Sequence, residues 1–474
     1  MVTGRTTNSG PGRLRQILAA LAALAAVAVL PQTAGVAAAA DLPGYRPAAD
    51  ATKTTGAART SQAPQIKPGM YTDSIKRGEE KYYAVALDAK SSAYFSAVAA
   101  PKPGSKVADY GDGLSIAVKD GNNSVCGSQA RQSFRGDGTA YPIADYATRT
   151  IGPDISSCQE AGLYYVVVSR EGSATSDPTP WPIELGYLKE PAVKGAAPQQ
   201  PREGSWSTVT PPPPTDAAKH AARGGTGFND AGSVGDGVWT DRIKPGESRF
   251  YRVPADWGQR LNLSAELPNA TAGSQDFVSG ALGLNVYNPA RGMVEGGRFV
   301  SYAGDPAEVK QFTAPVAYGN RFDSSDAISV MRFAGWYYLE VTLHPDTAAY
   351  FPKGADLTLR VDVRGTATAG PAYAGPAGDF SVTPQDRDMA AKGQTEQEAE
   401  KSGTLQLVGY AGIGAGVVLL LALAVWMVMA RRRVAQATVP AAPGIGRGSG
   451  HLPQQGPPAP QDQRSQQFGP PQGW

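Results

Sequence analysis

The sequence predicts an all-β protein: two tandem β-sandwich domains, one C-terminal transmembrane helix, and disordered segments between them. Three observations carry this. Apolar residues alternate with their neighbours along both halves of the chain, as Tyr83, Val85 and Leu87 do, and no stretch there sustains a 3.6-residue period. The phrase Gly69–Val85 returns without a gap as Gly237–Val253. Finally, Leu405–Ala430 carries no charge and is followed at once by Arg431, Arg432 and Arg433. At about 1.5 Å per residue that stretch is long enough to cross a hydrocarbon core of about 30 Å.

Residues 1–40 read as a secretory signal peptide. Arg5, Arg13 and Arg15 supply the positive leader, Ile17–Leu30 the apolar run, and Val36–Ala40 a small-residue cleavage region. An uncleaved anchor is the other reading of that run. No twin-arginine pattern precedes it, so the general export route is expected. Residues 41–65 are rich in Ala, Thr and Pro, have little to bury, and are expected to be a disordered leader.

The first sandwich, 66–188, opens with two short strands turning at Lys76–Glu79, continues through Ala93–Ala99 and Leu114–Val118, and reaches a turn at Asp120–Asn123. A loop-rich insertion holds Cys126 and Cys158, the two cysteines of the chain, and Leu163–Val168 and Trp181–Tyr187 close the domain. In an oxidising envelope the cysteines are expected to form a disulfide, stabilising the fold by about 3–4 kcal/mol on the chain-entropy model; free thiols are the alternative. Residues 189–225 form a linker whose Pro211–Pro214 run should be a polyproline II spacer.

The second sandwich, 226–364, repeats the first. Leu114, Ile116 and Val118 fall on Leu282, Leu284 and Val286; Ala161–Tyr165 matches Ala334–Tyr338, and Ile183–Tyr187 matches Leu357–Val361. Gly78 and Gly246 suit the turn, with Pro245 pre-setting φ in the second copy. Asp73 and Asp241, beside that turn, are expected to be turn-capping carboxylates.

Residues 365–404 read as a Pro/Gly/Ala linker followed by a polar stalk, Asp386–Lys401. The span 405–430 follows, with Arg431, Arg432 and Arg433 as its cytoplasmic stop-transfer signal. This orientation places residues before the span outside the cell and membrane lipid around it. Gly412 and Gly416 offer a small face for weak self-association. The Pro/Gln-rich tail, 431–474, is expected to be disordered in the cytoplasm.

No catalytic constellation stands out. The three histidines, His220, His344 and His451, fall in the linker, after a strand and in the tail, so neither a His-based metal cluster nor a two-histidine site is expected. His344 is expected to be a solvated loop residue. G-x-S-x-G, H-E-x-x-H and phosphate-binding glycine loops are missing. Asp109–Asp112, Asp120–Asn123, Asn229, Asp230 and Asp236 could supply oxygens to Ca²⁺, but their spacing is not that of an EF-hand, and such residues also build β-turns. Arg135-Gly136-Asp137 is discounted as a chance tripeptide. Trp181, Trp239, Trp257 and Trp336 are expected to pack, and Trp206 to be exposed, with a sugar-stacking platform as the sharper alternative. The net charge of +2 gives no argument for nucleic acid, and no cofactor is expected.

The wording T-D-x-I-K-x-G-E-x-x-x-Y, at Thr72–Tyr83 and Thr240–Tyr251, resembles the bacterial pre-peptidase C-terminal domain over about 66–188 and 226–364. That resemblance implies a small β-sandwich of jelly-roll type that accompanies secreted enzymes and carries no catalytic residues. The full layout is similar to actinobacterial, streptomycete-type membrane-anchored surface proteins. Some relatives carry a von Willebrand factor A-like domain, but here D-x-S-x-S fails at Cys158 in Asp154–Cys158, so no metal site carries over. The expected function is a non-enzymatic single-pass plasma-membrane protein whose extracellular sandwiches bind a cell-wall polymer or an exported protein. An accessory subunit of an exported protease or secretion complex is the second reading, and a hydrolase with an unfamiliar site the third.

Overall fold

The computed structural model describes residues 42–135, 138–152, 155–174, 176–195, 218–270, 277–294 and 297–399, and a few others including Leu420–Met429. Both sandwiches belong to one compact unit, Met1–Gly403; Thr404–Trp474 forms another. Within the second unit Leu420–Met429 is helical, but no described helix is long and apolar enough to cross a membrane. The signal segment, Gly412, Gly416, Arg432, Arg433, Trp206 and His451 lie outside the described residues.

The first copy comprises β1 (Thr52–Lys53), β2 (Gln65–Ile66), β3 (Gly69–Ile75), β4 (Glu80–Leu87), β5 (Ser92–Ala99), β6 (Gly113–Lys119), β7 (Val125–Ser133), β8 (Ile143–Arg149), β9 (Gly162–Glu171) and β10 (Trp181–Glu190). Its sheet A runs β1-β3-β10-β5-β8 and its sheet B runs β2-β4-β9-β6-β7. All pairings are antiparallel except β1 with β3 and β2 with β4. The alternation read from sequence sets the core: Tyr83, Val85 and Leu87 point inward from sheet B, and Phe95, Ile183, Leu185 and Tyr187 meet them from sheet A.

The second copy repeats this strand for strand: β11 (Lys219–Ala221), β12 (Gly232–Ser233), β13 (Gly237–Ile243), β14 (Ser248–Ala255), β15 (Arg260–Leu267), β16 (Val278–Tyr287), β17 (Arg298–Tyr302), β18 (Ala307–Phe312), β19 (Gly335–Leu343) and β20 (Ala355–Arg364). Sheet C (β11-β13-β20-β15-β18) is the counterpart of A, and sheet D (β12-β14-β19-β16-β17) of B. Several strand segments escaped the sequence reading. β7 and β8 lie where it placed a loop-rich insertion, because the polar residues of β7 and the mixed Ile, Asp, Tyr and Thr of β8 show no clean alternation, and β17 and β18 are their second-copy equivalents. His220, read as linker, lies on β11.

Three expectations are corrected. The leader 41–65 is ordered from Leu42 onward: β1 and β2 add parallel edge strands, and the backbone amide of Gly56 donates to Asp73 at 2.8 Å. Edge hydrogen bonding needs no apolar side chains, so composition concealed it. Secondly, Asp73 and Asp241 do not cap the turn. That role falls to Glu79 and Glu247, whose carboxylates accept the Lys76 and Lys244 amides at 2.7 and 2.8 Å; Gly78 and Gly246, at φ +72° and +82°, adopt the left-handed backbone the turn requires. Thirdly, residues 365–399 are not a free linker and stalk. Helix α1 (Pro384–Lys392) packs on β12 and β14, burying Met389 and Ala390. Trp336 donates to Asp386 at 3.2 Å, and Arg252 pairs with Glu396 at 3.2 Å.

Asp73 instead ties the two sheets together. From β3 it accepts Lys81 Nζ at 2.9 Å and the Tyr83 hydroxyl at 2.8 Å, both on β4. Asp241 accepts the Gly224 amide and the Tyr251 hydroxyl, each at 2.8 Å. A Cβ on Gly56 would stand 2.6 Å from the Tyr83 ring, and one on Gly224 2.8 Å from the Tyr251 ring, so both copies need glycine there. The expected disulfide is present: Cys126 on β7 holds Cys158 with Cα atoms 5.7 Å apart, closing a sequence separation of 32.

Asp73→Ala strands a buried ammonium and a buried hydroxyl, and is expected to destabilise the protein by about 3–5 kcal/mol in urea denaturation. Asp241→Ala removes an acceptor without breaking an ion pair and should cost less, about 1–3 kcal/mol. Replacing both cysteines by Ser should lower stability by about 3–4 kcal/mol, read in the same experiment.

Candidate binding site

The two copies are docked, and the joint between them is buried. Odd positions of β5 feed the first core, so Tyr94, Ser96 and Val98 face outward from sheet A. They meet the outer face of sheet D and its loops. Val98 and Ala144 cluster with Phe228, Phe250 and Tyr287, while Tyr94 contacts Phe333 edge-on at 4.7 Å. Two glutamates on the outer face of β10 fix the joint. Glu190 pairs with Arg321, both fully buried, and also accepts the Tyr94 and Tyr373 hydroxyls at 2.7 and 2.6 Å. Burial opposes its charge, but the Arg321 guanidinium and these donors hold the Glu190 carboxyl below the usual glutamate range. Glu184 accepts Arg291 at 2.6 Å and Asn229 at 3.0 Å from the second copy. Arg291 reaches it from a left-handed backbone, φ +62°.

Residues 42–48 form a strap across this joint. Tyr45 donates its hydroxyl to Glu184, the Ala48 amide donates to it at 2.7 Å, and the Tyr45 ring stands 6.1 Å from Phe250 of the second copy. Burial raises the Tyr45 hydroxyl well above the usual tyrosine range, so it stays a proton donor to Glu184. Between the strap, the end of sheet A and the Pro101–Ser105 and Asp177–Pro180 loops lies a cavity of about 640 Å³. Its walls carry Pro47, Pro101, Pro103, Pro180, Pro182 and Tyr45. Two of its acids are ion-paired or hydrogen-bonded from within, Asp73 by Lys81 and Tyr83 and Glu184 by Arg291, while Asp177 at the rim accepts the Thr179 amide. The arrangement suits an apolar segment with backbone polarity rather than a charged ligand.

The second copy has a cavity at the equivalent place, about 660 Å³, where Thr240, Asp241, Pro268, Asp356, Leu357 and Thr358 replace Thr72, Asp73, Ala100, Pro182, Ile183 and Glu184. It is polar: Arg242 pairs with Asp356 at 2.9 Å, and Arg360 with Glu266. The sequence reading found neither cavity. The match of Ile183–Tyr187 with Leu357–Val361 was the available signal, since it aligns the two cavity floors.

The residues singled out earlier are spent on structure. Arg170 covers the Trp181 ring at 3.6 Å and Arg252 the Trp336 ring at 4.4 Å, while Trp239 and Trp257 are buried. His344 is not solvated: it is buried, and its Nδ1 accepts the Asp346 amide at 3.1 Å. Its position at the end of β19 puts it under the Pro345–Ala349 turn, which sequence could not place. Asp112 accepts the Ala108 and Ser173 amides and the Ser176 hydroxyl; Asp120 accepts the Asn122 and Ser124 amides; Asp109 accepts the Gly138 amide and Asp236 that of Val363. Asp230 accepts the Thr226 and Gly227 amides. Donors thus face the carboxylates considered for calcium, and no cluster of metal-ligating side chains occurs among the described residues. Arg135 lies over the Tyr110 ring, and Gly136 and Asp137 are outside the described residues.

No protein-family model matches the chain, and no curated protein matches it. Solved structures with some likeness include a tandem CBM22 domain from Paenibacillus barcinonensis (10% identity, 69% of this chain and 97% of that one, TM-score 0.17). The ANXUR2 extracellular domain from Arabidopsis thaliana is another (8% identity, 64% and 85%, TM-score 0.16). Cowpea mosaic virus top component is a third (10% identity, 67% and 94%, TM-score 0.17). At such scores the likenesses carry no argument about this chain.

Glu184→Gln removes the charge that Arg291 and the strap both use. Chymotryptic cleavage after Tyr45 is expected to accelerate at least about tenfold, in line with a loss of about 3–5 kcal/mol at a broken buried pair; an unchanged digestion rate would show that the strap is held by other contacts.

Proposed function

We propose that the protein is a non-enzymatic, single-pass envelope protein whose paired jelly-roll sandwiches, outside the cell, bind an extended segment of another exported protein. The observation that carries the reading is the proline-walled cavity under the strap, apolar at its sides and with the carboxylates of Asp73 and Glu184 neutralised from within. Sugar polymers are gripped by flat aromatic faces open to solvent, whereas the faces of Trp181 and Trp336 are covered by arginines. A wall polymer is therefore the less favoured ligand. The apolar stretch Leu405–Ala430 with its arginine triplet supports a membrane span with the sandwiches outside, and residues 1–40 support export. The disulfide fits an oxidising compartment. The repeated T-D-x-I-K-x-G-E wording supports kinship with pre-peptidase C-terminal domains, which accompany other secreted proteins.

A photo-crosslinker placed at the exposed Lys102, on the cavity rim, is expected to capture one exported protein from intact cells, and Pro103→Asp to reduce that capture at least about tenfold. Equal binding of wild type and variant to purified wall polymer, with no protein captured, would sink the proposal. Protease added to intact protoplasts is expected to degrade the sandwiches and spare the tail.

A further inference from the structure

Four carboxylates lie in the joint between the copies, three buried and Asp145 half-buried, and they are of two kinds. Glu184 and Glu190 have arginines from the second copy. Glu340 and Asp145 have no ion pair among the described residues. Glu340 lies on the outer face of β19, with 1% of its surface exposed. Its Oε2 accepts the Asn285 amide at 3.0 Å and the Tyr287 hydroxyl at 2.9 Å, while its Oε1 and the Asn285 Oδ1 have no hydrogen-bond partner. Ser248 on β14 bears on it from one side and Tyr141 of the first copy from another; Tyr287 feels Glu340, Tyr141 and Asp145 together. The groups facing Glu340 are tyrosines, a serine and a second carboxyl, with no cation among them, whereas Asp145 shares a cavity with Asp326, Arg131 and Arg332. Across the joint, Asp145 on β8 accepts the Gln132 amide and, at 3.1 Å, the Met293 amide of the second copy.

An ionised carboxylate buried without a cation loses its hydration and regains only part of it from neutral hydrogen-bond donors, whereas a neutral carboxylic acid carries only a dipole and one O–H donor. We infer that docking of the second sandwich on the first captures a proton at Glu340, so that the joint tightens as the pH falls. Burial lifts Glu340 from the ordinary 4.5 to about 8, and Asp145 from 3.8 to about 6. Both are raised, so the contribution is fully present below the ordinary carboxyl values. It declines as pH rises, through about 6 for Asp145 and about 8 for Glu340, and levels off above that. The arginine-paired glutamates keep the copies aligned throughout.

The test is thermal unfolding of the full chain between pH 5 and 9, wild type against Glu340→Gln, which keeps the shape and cannot ionise. The wild-type Tm is expected to fall by about 5 °C or more across pH 6 to 8 relative to the variant, and the variant to keep only the smaller step near pH 6. Parallel profiles would overturn the inference. If Glu340→Gln does not fold, hydrogen exchange on the wild type decides, corrected for intrinsic rates. The Met293 amide, which donates across the joint, should lose at least about tenfold in protection from pH 6 to 9 while β4 and β9 keep theirs; equal protection at both pH values would refute proton capture.

Discussion

One buried carboxylate per copy holds each sandwich together as two sheets rather than two loosely facing layers. Asp73 and Asp241 project from the β3 and β13 strands and accept a tyrosine hydroxyl from the opposite sheet, at Tyr83 and Tyr251, and a glycine amide from the segment that precedes the sandwich. Burying such a group is tolerable only because its acceptor capacity is filled. The tie sets the spacing of the sheets at one end, and that end is where the two equivalent cavities form. It also explains the repeated wording: aspartate for the tie, glutamate for the turn, tyrosine for the far sheet.

The copies stack head to tail, sheet A of one against sheet D of the other, an arrangement that has no closure of its own. The end faces differ from the joined ones at equivalent positions. Glu184 and Glu190 of the joint correspond to Thr358 and Arg364 on the free face of sheet C; Phe228, Phe250 and Tyr287 correspond to Thr60, Tyr82 and Lys119 on the free side of the first copy. Duplication thus supplied one scaffold twice, and divergence made one face of each copy adhesive and left the opposite faces polar, as terminal repeats require.

Segments that look like spacer complete the joint. The strap crosses it through Tyr45. The chain leaving the first copy meets the chain leaving the second, with Lys194 donating to the Ala372 carbonyl at 2.6 Å and Ala374 to that of Ala192 at 2.7 Å. Phe380 stacks on Phe333 at 4.5 Å, and α1 covers β12. Composition marks all of these as linker because one anchoring ring or one amide per few residues does the holding, and such sparse contacts leave no periodic signature.

By itself the sequence determined what repeats and what alternates. Period-two alternation identifies strands whose inner residues form a core, the duplicated phrase gives two copies of one sandwich, and two cysteines in one copy leave one pairing. These are local properties, legible because neighbours along the chain express them. Only the tertiary structure decided which face of each copy meets the other, that Asp73 reaches across sheets instead of capping a turn, that His344 is buried, and that the leader and stalk are packed. Each depends on atoms brought together from distant parts of the chain, and no residue's neighbours in sequence record which partner the fold will bring to it.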